Sequence, residues 1–376
     1  MNNFEIKTKI KFGQDSLKSL QDIKGKKVLI ITDPFMIKSK AIDSILANLT
    51  NCTYEVFSDI VPDPPIEVIV RGIKAFDKTK PNVIIALGGG SAIDAAKAIL
   101  DFSKKILEIN EVTFIAIPTT SGTGSEVTSF SVITDNQKGI KYPLISDSLL
   151  PDIAILDPQL VKTVPNTITA DTGMDVLTHA IEAYVSTNAN DFSDALAEKA
   201  IKLVFEYLPK AYKNGEDLEA REKMHNASCL AGMAFNQASL GINHSIAHAL
   251  GGKFHIPHGR TNAILLPHVI EYNASIVGYT NIEYSLAARK YAEIASLLGL
   301  DFSNIRIGVR SLISKIVKLQ KELNMVTKLS QCNVNVSDIK REEDEIAKLA
   351  IKDSCTKTNP KIPTEKDIKE ILSKII

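Results

Sequence analysis

The stretch VIIALGGGSAIDAAKAI (83–99) joins an apolar run, three successive glycines and an alanine-rich segment. The branched residues predict a buried strand, and the segment from Ser91 onward predicts a helix. Glycine has no Cβ atom, so the backbone between these elements can approach a ligand closely, and the free amide groups at a helix start attract phosphate. The pattern favours a phosphate-binding turn. Ile93 stands where the G-x-G-x-x-G fingerprint has its third glycine, so a plain tight turn is the alternative.

Outward from this stretch, short apolar runs alternate with helical patterns over the first ~165 residues. Four further runs rich in branched residues are predicted strands: KKVLIIT (26–32), CTYEVFSDI (52–60), VTFIAIPTT (112–120) and DIAILD (152–157). Helical patterns lie between them, for example at 66–79 and 91–103. Such alternation is typical of a parallel sheet with helices on its faces.

The pattern changes after residue 168, where strand-like runs nearly vanish. Long segments then carry apolar residues at helical spacing: 174–186, 192–213 and 217–235. We therefore predict an α/β plus all-α protein, with a Rossmann-like parallel-sheet domain at 1–167 and an all-helical domain at 168–376. Pro165 and Gly173 interrupt the pattern near the predicted boundary.

Composition excludes several function classes. The 376 residues include 44 basic and 44 acidic side chains, a balance that argues against nucleic acid or a membrane surface as the main partner. No apolar run reaches the ~20 residues of a membrane helix. The four cysteines (Cys52, Cys229, Cys332 and Cys355) form no Cys-x-x-Cys pair. They indicate reduced thiols in a cytoplasmic protein rather than disulfides or a thiolate zinc site.

Two other predicted strands end in residues suited to a nucleotide. PTTSGTGSE (118–126) offers hydroxyl and amide groups at the carboxyl edge of the sheet, where α/β proteins bind ligands. Asp33 follows the run VLIIT (28–32) and could accept both ribose hydroxyls of NAD, while its charge would repel a 2′-phosphate. A turn residue before Pro34 is the alternative for Asp33. Three such strand ends together favour a nucleotide site.

A possible metal site begins in GMDVLTHAIEAY (173–184), which predicts a helix. Asp175 and His179 are four residues apart and therefore share one helix face. Both side chains can ligate a divalent cation, although a lone pair of this kind is more often an exposed polar couple.

The stretch GINHSIAHALGGKFHIPHG (241–259) contains four of the seven histidines: His244, His248, His255 and His258. Any of these could join Asp175 and His179, and spacing alone leaves the choice open. One carboxylate with imidazoles suits iron, zinc or another first-row divalent ion. His225 and His268 have no such companions, and we predict that they pack in the interior.

The ordered motifs resemble the iron-containing (group III) alcohol dehydrogenases from end to end. The resemblance rests on GGGSAIDAAKA, PTTSGTGSEVT, TGMDVLTHAIEAY, the segment from GINHSIAHALGG to LLPHV, and DSCTKTNP (353–360). Within the family, KGIKYPLISDSLLPDIAILDPQLV and DFSDALAEKAIKLVFEYLPKA are most similar to members that act on 1-propanol in propanediol-utilising bacterial microcompartments. The resemblance implies the two-domain architecture shared with dehydroquinate synthases.

The resemblance also implies roles for individual residues. The implied metal ligands are Asp175, His179, His244 and His258, and His248 is implied to be the catalytic histidine near the reacting carbon. The implied nucleotide contacts are Asp33, Gly88, Gly89, Gly90, Ser91, Asp94, Thr119, Thr120 and Lys141. The implied walls of the substrate pocket are Phe130, Phe235 and Cys355. Asp171 replaces the alanine common in the family and could perturb the metal site from one turn before Asp175, although we expect it to cap its helix.

The implied reaction is reversible hydride transfer between NAD(H) and short-chain primary alcohols or aldehydes, above all propanal and 1-propanol. Ferrous iron is the expected metal and zinc the alternative. If the metal lowers the alcohol pKa as it does that of water, it contributes about 11 kcal/mol. A general base offers about 3–5 kcal/mol. The resemblance also implies a homo-oligomer, a cytoplasmic or microcompartment location, and microcompartment enzymes as partners.

Three other functions stay open from the sequence. A dehydroquinate-synthase-like enzyme would share the architecture, NAD and a metal, but we expect it to need more basic pocket residues. A metallohydrolase would not need the nucleotide site, and a non-catalytic protein could retain NAD as a structural ligand. Oxidation of NADH in the presence of propanal separates all three from the dehydrogenase.

Overall fold

A six-stranded sheet forms the centre of the first half of the chain. The structure, a computed structural model, describes residues 4–109, 111–136, 140–276 and 283–376, without the side chains of residues 140 and 141. The sheet has the order β1-β8-β5-β4-β2-β3, and all its pairings are parallel. Its strands are β1 (Lys9–Phe12), β2 (Lys27–Thr32), β3 (Thr53–Phe57), β4 (Val83–Gly88), β5 (Thr113–Pro118) and β8 (Ile153–Leu156).

Apolar side chains cover both faces of this sheet, as continuous Val/Ile/Leu strands require. The helices are α1 (Pro34–Lys38), α2 (Ala41–Leu46), α3 (Ile66–Thr79) and α4 (Gly90–Leu107). One core cluster packs α3 and α4 on the sheet through Phe76 and Ile99, and the other includes Ile45 of α2 and Ile85 of β4. The predicted Rossmann-like sheet is confirmed.

The register of the central strands aligns their carboxyl ends. Thr32 of β2 pairs with Leu87 of β4, and Gly88 pairs with Pro118 of β5. The residues that follow these three strands therefore emerge at one edge of the sheet, as the sequence motifs predict.

A separate antiparallel hairpin was not anticipated from the sequence. Strands β6 (Phe130–Asp135) and β7 (Ile140–Ile145) pair with each other, with Phe130 opposite Ile145. Pro143 lies within β7, and a proline weakens the sequence signal for a strand because it cannot donate to the ladder.

Past residue 165, the described part of the chain contains helices and no strand. The α-helices are α5 (Asn166–Val185), α6 (Asp191–Lys213), α7 (Leu218–Ala238), α8 (Ile242–Phe254), α9 (His258–Ala274), α10 (Leu286–Leu297), α11 (Ile305–Glu322), α12 (Val336–Lys352) and α13 (Glu365–Ile375). The predicted fold class, an α/β region followed by an all-helical region, is confirmed. Of the helices described, none is both long and apolar enough to cross a bilayer.

The chain divides into two compact units, and the first unit includes a segment from later in the sequence. The first unit comprises Met1–Val164 and Gly215–Gly232, and the second comprises Pro165–Asn214 and Met233–Ile376. The predicted single boundary at 167/168 does not anticipate the inserted piece. Gly232 explains its placement, because a Cβ added there would lie 2.9 Å from the Gly124 carbonyl oxygen. Two glycines thus allow helix α7 to approach the 118–126 loop closely.

Candidate metal centre and nucleotide-binding edge

Four side chains from three helices of the second unit converge on one point. Helix α5 presents Asp175 and His179 one turn apart, α8 presents His244, and His258 is the first residue of α9. One donor atom from each lies within 4.8 Å of the others. The Nε2 atoms of His244 and His258 are each 3.7 Å from Asp175 Oδ1. Of the four histidines in segment 241–259, His248 and His255 do not belong to this donor group.

The donor set fits a divalent first-row cation. Ligand atoms about 2.0–2.2 Å from one tetrahedral ion lie about 3.3–3.6 Å apart, close to the observed separations. Asp175 is 3%, His179 5% and His244 1% exposed. Burial lowers the pKa of His244 far below its usual value, which keeps the imidazole neutral and able to ligate. Burial also raises the pKa of Asp175, so a cation would compensate its carboxylate charge.

Glu182 fixes the orientation of His244 and was not identified from the sequence. Its Oε2 lies 2.5 Å from His244 Nδ1, and its Oε1 accepts a 2.7 Å hydrogen bond from the Asn243 amide. With Nε2 directed at the donor group, Nδ1 carries the proton and donates it to Glu182. Burial raises the pKa of Glu182 to about 8. The available signal was spacing, because Glu182 follows His179 by three residues on the same helix face.

Asn262 is a second unpredicted neighbour of the group. Its Nδ2 donates a 2.6 Å hydrogen bond to Asp175 Oδ1 and lies 3.1 Å from His258 Nε2. Its Oδ1 accepts from Asn243 Nδ2 at 2.9 Å, which fixes the direction of the amide. Asn262 therefore orients the Asp175 carboxylate from outside the donor set.

The sequence led us to expect Asp171 to cap its helix, and this prediction is wrong. Helix α5 begins at Asn166, so Asp171 lies in its second turn and pairs with Arg260 at 2.9 Å. A Cβ added at Gly259 would lie 2.1 Å from the Asp171 carbonyl oxygen. Helices α5 and α9 therefore approach closely beside the donor group, and the ion pair joins them there.

His248 lies next to the donor group with partners of its own. Its Nδ1 is 2.9 Å from Asp353 Oδ2, and its ring stacks on that of His258 at a centroid distance of 5.3 Å. Although burial opposes ionisation, the hydrogen bond with His248 lowers the pKa of Asp353 to about 2. Asp353 is the first residue of DSCTKTNP, and the sequence predicted no role for it. Cys355 belongs to the same cluster, with its donor atom within 4.8 Å of the other two.

The predicted pocket residues fall in both units. Phe235 and Cys355 belong to the second unit, where the Phe235 ring lies 4.6 Å from the His179 ring. Phe130 is the first residue of β6 in the first unit, and its carbonyl oxygen accepts a 2.7 Å hydrogen bond from the Lys97 ammonium group.

The predicted nucleotide residues of the first unit gather at the sheet edge. Gly88 has φ +151°, and a Cβ there would lie 2.7 Å from the Ala92 side chain and 3.3 Å from Asp33 Oδ2. Gly89 is the extended N-cap of α4, and its carbonyl accepts the Ala92 and Ile93 amides, so the amides of Gly90 and Ser91 are left for an anion. Asp33 caps α1 through Oδ1, which accepts hydrogen bonds from the Phe35 and Met36 amides. Asp33 can therefore cap α1 with Oδ1 and also contact a ligand with Oδ2, which lies near Gly88.

The loop after β5 is held against this glycine turn. The Thr119 amide donates a 3.0 Å hydrogen bond to the Gly88 carbonyl, and a Cβ at Gly89 would lie 3.3 Å from Thr120 Oγ1. Ser121 Oγ is 2.9 Å from Nδ1 of His225, which is 1% exposed. His225 therefore packs in the interior, as predicted, and it also supports this loop.

Asp94 and Lys141 are two further predicted cofactor contacts. Asp94 uses both carboxylate oxygens within the protein, accepting from Ser125 Oγ at 2.5 Å and from the Val132 amide at 3.0 Å. Its contact with a cofactor stays a prediction. Lys141 pairs with Thr134 through the backbone of β7, and its side chain lies outside what the structure describes.

Both halves of the chain match models of one protein family. Residues 7–158 match the family described as "Iron-containing alcohol dehydrogenase", and residues 169–376 match "Fe-containing alcohol dehydrogenase family, C-terminal". The chain belongs to the iron-containing alcohol dehydrogenase family. It is therefore an oxidoreductase, and the resemblance found in its motifs is confirmed.

Individual relatives cover the full length of this dehydrogenase. It is 47% identical over 380 residues to "1-propanol dehydrogenase PduQ" of Citrobacter freundii, with both chains covered completely. It is 41% identical to the "NADPH-dependent butanol dehydrogenase" of Clostridium saccharobutylicum, covering 99% of this chain and 97% of that one. The crystal structure of a 1,3-propanediol oxidoreductase aligns over all of both chains with a TM-score of 0.89 and 32% identity.

Proposed function

We propose that this dehydrogenase transfers hydride reversibly between NAD(H) and short-chain primary alcohols and aldehydes, with propanal and 1-propanol as the preferred pair. The observation that carries the proposal is the convergence of one carboxylate and three imidazoles within 4.8 Å, in a chain 47% identical over its whole length to a 1-propanol dehydrogenase.

Asp175, His179, His244 and His258 would hold the metal ion. Their oxygen and nitrogen donors include no sulfur, which suits ferrous iron, with zinc as the alternative. A bound divalent ion lowers the pKa of an alcohol hydroxyl and polarises an aldehyde carbonyl. Glu182 keeps the His244 proton on Nδ1, so that Nε2 stays available, and Asn262 orients the Asp175 carboxylate.

His248 would move the proton of the reaction. Asp353 holds its Nδ1 at 2.9 Å, which leaves Nε2 to accept the hydroxyl proton during oxidation and return it during reduction. The Asp353 carboxylate stabilises the imidazolium that forms, because its own pKa lies near 2. Bound NAD would supply the acceptor for the hydride of the carbinol carbon, and His248 would take the hydroxyl proton, so that the alcohol would lose two electrons and two hydrogens in all.

The nucleotide would bind at the carboxyl edge of the sheet. The residues assigned to it are Asp33, Gly88, Gly89, Gly90, Ser91, Asp94, Thr119, Thr120 and Lys141. The free amides at the start of α4 suit the pyrophosphate, and the Asp33 carboxylate favours NAD over NADP. Because one relative is an NADPH-dependent butanol dehydrogenase, the assay below compares both cofactors.

Phe130, Phe235 and Cys355 would form the walls around the alkyl chain. Their apolar surface favours a small unbranched substrate and provides no partner for an additional hydroxyl group. A methylene in such a pocket is worth about 1–3 kcal/mol, so ethanal and butanal should also react, within roughly 10–200-fold in kcat/KM.

For location and assembly, we propose a cytoplasmic homo-oligomer that works with the enzymes of a propanediol-utilisation microcompartment. Full-length similarity to PduQ of Citrobacter freundii supports this assignment. Light scattering of the purified protein tests the oligomer, and co-fractionation with isolated microcompartments tests the location. A monomer, or a protein absent from the microcompartment fraction, would contradict the corresponding part.

The reaction itself is tested with anaerobically purified protein of measured metal content. Propanal, butanal, lactaldehyde and 3-hydroxypropanal are each assayed with NADH and with NADPH. We expect the highest kcat/KM for propanal with NADH, and loss of activity in air that ferrous iron and reductant restore. No NADH oxidation with any aldehyde would refute the dehydrogenase. A preference for a hydroxylated aldehyde would refute the propanal assignment.

A further inference from the structure

A second group of metal-binding donors lies outside the four-residue group. His248 on α8, Asp353 directly after α12 and Cys355 each offer a donor atom, and the three atoms lie within 4.8 Å of one another. This set differs from the first in its chemistry, because it contains a thiol. Imidazole, carboxylate and thiolate together are typical ligands of zinc and of other thiophilic divalent ions.

The local fold holds the three side chains in place. Asp353 caps the short 3-10 helix Ser354–Thr358, and its Oδ1 accepts a 2.8 Å hydrogen bond from the Cys355 amide. That hydrogen bond fixes the backbone that carries the thiol. The other oxygen, Oδ2, contacts His248 Nδ1 at 2.9 Å. The carboxylate therefore stands between the imidazole and the thiol and links all three groups.

Exposure and charge also suit a cation. The His248 side chain is 45% exposed and that of Asp353 20%, so an ion can reach the group from solvent. Asp353 contributes a carboxylate to the group, and its Oδ2 contacts the imidazole of His248. Three protein donors with one solvent-facing position are the arrangement of an open zinc site rather than a closed structural one.

We propose that His248, Asp353 and Cys355 form a second cation site, which binds Zn²⁺ or another thiophilic divalent ion. On binding, the Cys355 thiol transfers its proton to solvent, and the sulfur forms a bond to the ion. This site has three protein donors rather than four, and it would lie near the charge of an ion in the first group. It therefore binds more weakly and is not the resident metal site.

The expected consequence is inhibition. This part rests on the proposed function, because it requires His248 to be the residue that moves the proton. An ion that occupies the imidazole and the Asp353 carboxylate removes both from proton transfer. Excess zinc would then slow the enzyme without displacing the metal held by Asp175 and the other three ligands.

Cd²⁺ is the probe, because a cadmium–thiolate bond produces a near-ultraviolet charge-transfer band. The four-donor group contains no sulfur and cannot produce this band. Full-length protein is first loaded with one equivalent of zinc under anaerobic conditions and then titrated with Cd²⁺. We expect the band to saturate at one further equivalent, and the total bound metal to reach two ions per chain.

Cys355→Ser should abolish the band and weaken Cd²⁺ binding at the second site at least about tenfold, as measured by competition with a chelating dye. Cys332→Ser is the matched control, since Cys332 lies outside the three-donor group, and it should behave as the unmodified protein does. His248→Gln should also weaken binding about tenfold or more, which distinguishes a three-donor site from a lone reactive thiol. A band that persists in Cys355→Ser, or an affinity unaffected by His248→Gln, would overturn the proposal.

Inhibition is measured separately, on iron-loaded protein, with each variant normalised to its own rate without zinc. We expect the zinc concentration for half inhibition to match second-site occupancy and to rise at least about tenfold in Cys355→Ser. Inhibition with release of iron, and with no difference between Cys355→Ser and Cys332→Ser, would overturn the inhibitory role. A band without any catalytic activity would refute the proposed function and leave the site itself supported.

Discussion

The two candidate binding regions use different chemical groups of the protein. The sheet edge of the first unit is made mainly of backbone, with three glycines, free helix amides and a close contact between Gly124 and Gly232. The donor group of the second unit is made of ionisable side chains that are buried together, such as Asp175 and His244. The first region depends on space for a ligand, and the second depends on balanced charge.

This difference predicts which kind of substitution disrupts each region. A backbone site fails when an atom is added, because a Cβ has no space at Gly88 or Gly90. A side-chain site fails when a donor or an outer partner is removed, because buried charges then lose compensation. The following variants change side chains in both units and so measure how much each region depends on them.

The largest effect should come from removing a donor. His258→Ala should lose its metal and reduce kcat/KM by at least about a thousandfold, since Lewis-acid stabilisation is worth several kcal/mol. His248→Ala should retain the metal and lose about 10²–10⁴-fold in rate. Metal analysis and steady-state kinetics decide between the two. His255→Asn is the matched control, because His255 has φ +53° and asparagine tolerates that conformation. The reverse pattern, with metal lost from His248→Ala, would show that the roles are exchanged.

The next effect is on stability, because the first unit buries His225 in its uncharged form. Burial lowers the pKa of His225 to about 4, so at pH 5 the unfolded chain binds a proton at this residue and the folded chain mostly does not. The free energy of unfolding should therefore fall as pH falls from about 6.5 towards 4, by about 2 kcal/mol between pH 7 and pH 5. In His225→Gln this contribution should be absent. Urea unfolding at both pH values measures it, and equal pH dependence of the two proteins would contradict the prediction.

Glu182→Gln should weaken metal binding about 10- to 100-fold, as loss of an outer partner of a ligand does. The amide is a weaker acceptor for His244 Nδ1–H, and unlike Glu182 it cannot ionise to offset the charge of a bound cation. Competition with a chelator measures the dissociation constant. Glu198→Gln removes a carboxylate that bonds the Tyr184 hydroxyl instead and should leave the metal affinity unchanged. Equal affinities of the two variants would show that Glu182 has no such role.

The smallest effect should be at Asp33. Asp33→Asn keeps an N-cap for α1 and removes the charge, so any change in cofactor preference reports electrostatics rather than loss of the cap. NADPH use relative to NADH should rise about fivefold or more, corresponding to about 1 kcal/mol of relieved repulsion. Asp33→Gly should do the same with additional loss of the cap. Equal use of both cofactors by the unmodified enzyme would rule out the assignment of Asp33.

The sequence predicted features whose cause is local. The glycine run, the strand before it and the helix after it lie within one continuous segment, and parallel pairing then brings the strand ends to one edge. Helical spacing likewise placed Asp175 and His179 on one face. These predictions needed only periodicity and the special geometry of glycine.

Features that depend on packing between distant segments were not predicted. Spacing could not choose among the histidines, because the choice depends on how α8 and α9 approach α5. Glu182 acts on His244, 62 residues away, and Asp353 acts on His248, 105 residues away. Only the family resemblance identified the four donors in advance, and it gave no role to these two carboxylates.

Helix α7 also bears on how the protein is made. The first unit includes Gly215–Gly232, so ribosomal synthesis of residues 1–164 does not complete it. At about 5–20 residues per second, the wait for residue 232 is roughly 3–14 s. During that interval the 118–126 loop lacks Gly232 and His225, and the sheet edge lacks its support. A nascent chain arrested shortly after Val164 should therefore bind NAD poorly, and one extended well beyond Gly232 should bind it better.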